Sequence, residues 1–152
     1  MIDFYQDFLN RLVELHKNIE QAIQGLPQEA LDWSPGKGMN SIAVLIVHLT
    51  GAERYWIGDV ALEDPSSRDR AAEFRAGGIP LDALQARLAD SLAYAQNALT
   101  RLTLSDLAQE RVSPRDGRKF SVTWALLHAL EHTAIHLGHI QITRQLWEGQ
   151  KR

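Results

Sequence analysis

The chain has 152 residues, 45% hydrophobic and 23% charged, a composition that suits a globular protein and excludes wholesale disorder. Its formal net charge of -3 disfavours a nucleic-acid partner, because such proteins concentrate Lys and Arg against phosphates. No cysteine is present, which excludes disulfides and thiolate metal ligands and means that any sulfur nucleophile must arrive with a substrate.

The length suits one domain, residues 1–152. The N-terminus, Met1-Ile2-Asp3-Phe4-Tyr5, lacks the basic start and apolar run of an export signal. The longest aliphatic run, Ile42 to Val47, falls far short of the about 20 residues that cross a membrane. A soluble, cytoplasmic protein with no membrane partner is the expectation. The densest basic patch, Arg115 to Lys119, is short, contains Asp116 and reads as a solvated loop.

Four long helices are predicted. The first covers Asp3 to Gln24, with Phe4, Phe8, Leu12, Leu15, Ile19 and Ile23 at helical spacing and Asp3 as a candidate cap. Gly25 and Pro27 end it, and Pro35, Gly36 and Gly38 mark a loop. The second begins at Asn40 or Ser41, either of which can cap it, and reaches Val60. A looser stretch with Pro65, Gly77, Gly78 and Pro80 follows and has room for a short helix near Arg70 to Arg75. The third spans Leu81 to Leu102, with Asp82 suited to the dipole of its first turn. After a polar turn at Ser113 to Gly117, the fourth runs from Ser121 to Trp147. Strand signals are weak throughout. The fold class is all-α, a four-helix bundle.

Histidine placement carries the functional signal. His128, His132, His136 and His139 lie within twelve residues, on an arc of about 80° of one helix face. His128 and His139 are roughly 16 Å apart along the axis, so one ion cannot touch all four. An adjacent pair would need a ligand from a facing helix, and His48 is the natural candidate, because it interrupts the apolar run from Ile42 to Leu49. A lone histidine on an apolar face is usually a satisfied core residue. Several buried imidazoles together are costly unless hydrogen-bonded or ligated, which favours a metal. His128 and His139 read as pocket-lining residues, and His16 as solvent-facing. Three imidazoles leave a coordination position open and suit Zn, Ni, Co or Fe(II). A two-metal carboxylate site is disfavoured, since no Glu here has His three residues later.

Asn40-Ser41-Ile42 followed by an apolar run and His48 resembles the start of the second helix in the DinB-like superfamily of metal-binding four-helix proteins. His132-Thr133-Ala134-Ile135-His136-Leu137-Gly138-His139-Ile140 resembles that family's fourth-helix signature, and Leu31-Asp32-Trp33-Ser34-Pro35 its first loop. The resemblance implies a DinB-like bundle, often a homodimer, with a metal held by His48, His132 and His136. It further implies, for members of known activity, use of a low-molecular-weight thiol, as in mycothiol-dependent isomerases and S-transferases. Leu137 and His139 stand where the family often has Arg and Gln.

The expected function is therefore a metal-dependent transferase that uses a low-molecular-weight thiol on a small electrophilic substrate. His128 and His139 are candidate catalytic residues, to orient a ligand or move a proton. Two rivals are a metal-dependent hydrolase, for which no strong carboxylate base is evident, and a non-catalytic, stress-associated metal-binding protein. Glu131 reads as exposed or structural. Trp33, Trp56, Trp124 and Trp147 read as core or pocket wall. Because histidine must be neutral to ligate, metal affinity is expected to fall below about pH 6.

Overall fold

The computed structural model describes residues 1–150. Helix α1 (Asp3–Ile23) buries Tyr5, Phe8, Leu12, Ile19 and Ile23 along one side, as its periodicity predicts. Asp3 does not cap it: Ile2 holds the cap position, and Asp3 lies in the first turn, near the positive end of the helix dipole. The segment predicted as loop contains a short helix, α2 (Gln28–Asp32), whose Ala30 and Leu31 join the core.

Helix α3 (Ile42–Glu53) starts at Ser41, whose side chain accepts a hydrogen bond from the Val44 amide at 3.2 Å. Of its 12 residues, all but Gly51 are buried. A helix buried all round has no polar face, so each polar side chain on it needs a specific partner. The sequence predicts one helix to Val60, but the backbone switches at Arg54 to a π-helical segment, Arg54–Leu62, which ends at Glu63 with φ 56°. Such segments are rare and concentrate at functional sites. Helix α4 (Arg70–Glu73) falls where a short helix is predicted, and Asp69 caps it by accepting from the Ala72 amide at 2.9 Å.

Helices α5 (Leu81–Thr100) and α6 (Val122–Gly149) complete the set, with Ser121 capping α6. Between them lie a 3-10 turn, Leu104–Ala108, and a hairpin of β1 (Glu110–Val112) against β2 (Lys119–Ser121). The strands are only 3 residues each, too short to show two-residue alternation, which is why the sequence does not announce them. The polar turn at Ser113 to Gly117 is the tip of this hairpin, and Gly117 supplies its positive φ of 72°.

Helices α1 and α3 each pack against both α5 and α6, so α1 sits diagonally across the bundle from α3, and α5 from α6. This is a four-helix bundle with crossover connections. Its apolar core is in two parts, one around Tyr5, Leu12, Leu99 and Leu126, the other around Ile19, Ile46, Leu88 and Ile140. Each long helix places one polar residue at the boundary. The Glu53 carboxylate of α3 accepts from Ser91 of α5, from Thr133 Oγ1 of α6 at 2.7 Å, and pairs with His16 Nε2 of α1 at 2.8 Å. His16 is thus not solvent-facing: at 1% exposure it is buried one turn after Leu12, on the same face, where Glu53 gives it a partner. Among the described residues, no helix is long and apolar enough to cross a membrane.

Candidate metal centre

The α3–α6 contact brings His48, His132 and His136 together at the level of this polar belt. One nitrogen from each lies within 4.8 Å of the others. Ring centroids are 4.3 Å apart for His132 and His136, 4.9 Å for His48 and His132, and 5.1 Å for His48 and His136. The four-residue spacing on α6 stacks two rings on one face, and the facing helix supplies the third.

The ring nitrogens are sorted by their partners. His132 Nε2 and His136 Nε2 face each other at 3.2 Å. His48 Nδ1 pairs with Glu73 Oε2 at 2.8 Å, which leaves its Nε2 for the centre. His136 Nδ1 lies 3.2 Å from His139 Nδ1, so His136 too is steadied from behind. His132 Nδ1 is buried without a partner among the described residues. Glu73 is itself fixed: Arg68 Nη2 donates to its Oε2 at 2.8 Å and Arg68 Nε to its Oε1. A Cβ on Gly51 would overlap the Glu73 carboxylate, so this glycine makes the room through which α4 reaches His48. A carboxylate behind a ligating histidine sets its tautomer and strengthens the opposite nitrogen as a donor.

Electrostatics prepare the same rings for ligation. Burial, reinforced by the neighbouring His136 and His48, pushes His132 down to about 3. Burial and His48 push His136 down to about 4. Both are neutral lone-pair donors at physiological pH. Burial alone would raise the Glu73 carboxyl, but the hydrogen bonds from Arg68 and His48 outweigh it and hold the group below its usual range. Three converging imidazoles, His132 and His136 held neutral by burial and His48 with an anchored carboxylate behind it, fit a divalent ion such as zinc, nickel, cobalt or iron.

His128 sits beside this group rather than in it. Its ring is 6.0 Å from that of His132, stacks on Trp124 at 4.7 Å and meets Trp56 edge-on at 4.8 Å. Burial lowers its pKa. His139 is an exposed neighbour of His136, and Glu131 is exposed, 3.7 Å from His128. Trp56 belongs to the core, Trp124 is partly exposed, and Trp33 packs on Trp147 at 5.7 Å.

Residues 7–149 match the family model described as mycothiol-S-transferase. The chain belongs to the mycothiol S-transferase family. This family is DinB-like, and the bundle is shared with solved structures. A conserved protein from Enterococcus faecalis is 16% identical with a TM-score of 0.80, over 98% of this chain and 99% of that one. YfiT from Bacillus subtilis, described as a probable metal-dependent hydrolase with an unusual four-helix bundle topology, is 15% identical with a TM-score of 0.77, over 95% of this chain and 89% of that one. At these identities the likeness shows the fold. No curated protein matches the sequence.

In this mycothiol S-transferase family member, Glu73, Arg68 and Glu53 are the site residues that sequence reasoning missed. Glu73 and Arg68 lie in or beside the short helix predicted near Arg70 to Arg75, but no spacing rule links that segment to His48, 25 residues earlier. Glu53 did carry a signal: it is the one acid on a mostly apolar helix, five residues after His48.

Proposed function

We propose that the chain is a metal-dependent transferase that joins a low-molecular-weight thiol to a small electrophile at His48, His132 and His136. The observation that carries this is the convergence of three imidazoles, two held neutral by burial, in a member of a family described by thiol transfer. The chain has no cysteine, so the sulfur arrives with a substrate. A divalent ion held by these nitrogens would bind the incoming thiol as the thiolate, which is the nucleophilic form. Glu73, locked by Arg68, holds the His48 ring in place, and His139 does the same for His136. His128, whose pKa burial lowers, lies at the flank of the triad and would take the thiol proton. The carbon–sulfur bond then forms as the leaving group departs with its electron pair.

The Bacillus neighbour's description favours a second reading, hydrolysis. Water attack at such a site calls for a carboxylate base free to touch the water. Glu73 is committed to His48 and Arg68, and Glu53 to His16, Ser91 and Thr133, while Glu131 is exposed. This leaves no free buried acid near the triad among the described residues, and thiol transfer is the better reading. The test is conjugation of chlorodinitrobenzene by a panel of thiols, with zinc- or nickel-loaded protein and His136→Ala beside it. Thiol-dependent turnover that is lost in the variant is expected. Ester hydrolysis without thiol use would favour the hydrolase, and metal binding with neither activity would leave a non-catalytic metal protein.

A further inference from the structure

A cavity of about 330 Å³ is walled by the π-helical segment, the connector before α4 with the first residue of that helix, and the hairpin turn. Arg68, Arg70 and Arg115 all reach it. Their charges are unequally engaged. Arg68 is committed to Glu73. Arg115 has Asp116 at 3.6 Å, an acid that holds Arg118 more closely at 2.9 Å. Among the described residues, no carboxylate pairs with Arg70, whose guanidinium lies over the Phe74 ring at 4.9 Å. Asp59, the acid in the wall, is already held by Arg54 Nη1 at 3.0 Å and Ser66 Oγ at 2.9 Å. The cavity therefore carries an excess of positive charge, on a chain whose formal net charge is -3.

Contacts tie it to His48 of the triad and to His128 at the triad's flank. Arg68 in its wall grips the carboxylate that holds His48, and Phe74, under Arg70, packs on the His48 ring at 4.8 Å. Tyr55 in the wall packs on Trp56, whose ring touches His128 at 4.8 Å. A guanidinium fork matches a carboxylate in shape as well as charge, and a cation resting on an aromatic face keeps its N–H edge free for a ligand. The size lies at the lower end for small-molecule sites.

We propose that this cavity is an anion subsite in which Arg70 and Arg115, backed by Arg68, bind a carboxylate of the substrate while its reacting group lies at His48, His132 and His136. The identity of the reacting group rests on thiol transfer at the triad; the subsite stands on the arginines. The substrate class is an acidic small molecule, with the carboxylate on the thiol or on the electrophile.

The test titrates the full chain, with and without zinc, with succinate and inorganic phosphate at low salt, followed by NMR shifts. Wild type is compared with the double variant Arg70→Gln, Arg115→Gln. Both side chains are exposed, so the fold is retained, which circular dichroism checks. Succinate is expected to bind with or without zinc, and at least about tenfold more weakly to the double variant, since each charge-assisted hydrogen bond lost is worth about that factor. No binding to wild type, binding indifferent to the double variant, or binding only of phosphate would overturn the subsite. A second arm compares conjugation rates of mercaptosuccinate with thioglycerol, and of an acidic electrophile with its amide. Whichever acidic partner loses its advantage in the double variant is the one that carries the carboxylate. Succinate binding without any turnover would support the subsite and overturn thiol transfer.

Discussion

At the scale of single residues, the arrangement of the three histidines depends on side chains outside the triad. Glu73 fixes the His48 ring, Arg68 fixes Glu73, and Gly51 leaves space for both. Glu73→Gln, which keeps the shape but drops the charge, is expected to weaken zinc affinity about 10–100-fold in a competition titration. Gly51→Ala forces the carboxylate aside and should weaken zinc binding in the same direction, with a near-native helical spectrum. The triad was legible in the sequence because four-residue spacing on a helix is a local rule, and His48 because it broke an apolar run. Glu73 was not, because its approach to His48 is set by a connector whose path no periodicity encodes. His16 was misplaced for a similar reason: burial of a polar ring is decided by a partner on another helix.

Among the helices, the polar belt ties all four long ones together through a single carboxylate. Removing one partner of a buried charged network leaves the others unpaired, so Glu53→Ala should cost about 3 kcal/mol in denaturant unfolding. The histidines add a pH dependence. In the metal-free protein, His132 and His136 protonate only near 3 and 4 when folded, against 6.5 for the free side chain. As pH falls through that window, the unfolded chain takes up protons that the folded rings refuse, so stability falls. Above about 6.5 there is no further gain from these two groups. Glu73, held below the 4.5 of a free glutamate, adds stability above that value that is lost as pH falls through its lower folded value. Melting temperature in a chelator is therefore expected to drop steadily from pH 6.5 to 4, and a flat profile would speak against buried neutral rings. The long helices were legible within a few residues because amphipathic stripes mark α1 and α5 and Ser caps open α3 and α6. The π-helical stretch and the hairpin were not, since tertiary contacts rather than local pattern set them.

For the whole molecule, the bundle persists at 15–16% identity to its structural neighbours, because packing of apolar stripes tolerates wide substitution. An ion held by His48, His132 and His136 would staple α3 to α6. Ligand that binds only the folded state stabilises it by mass action, by about 2.7 kcal/mol at a hundredfold excess over the dissociation constant. Zinc at that excess should raise the melting temperature of the wild type and leave that of His136→Ala unchanged. The most direct test of the account is metal content, measured by elemental mass spectrometry on untagged wild-type protein and His136→Ala. About one divalent transition ion per chain in the wild type, lost in the variant, is the expected result. No ion in the wild type as purified, and none taken up from added zinc or nickel, would contradict it.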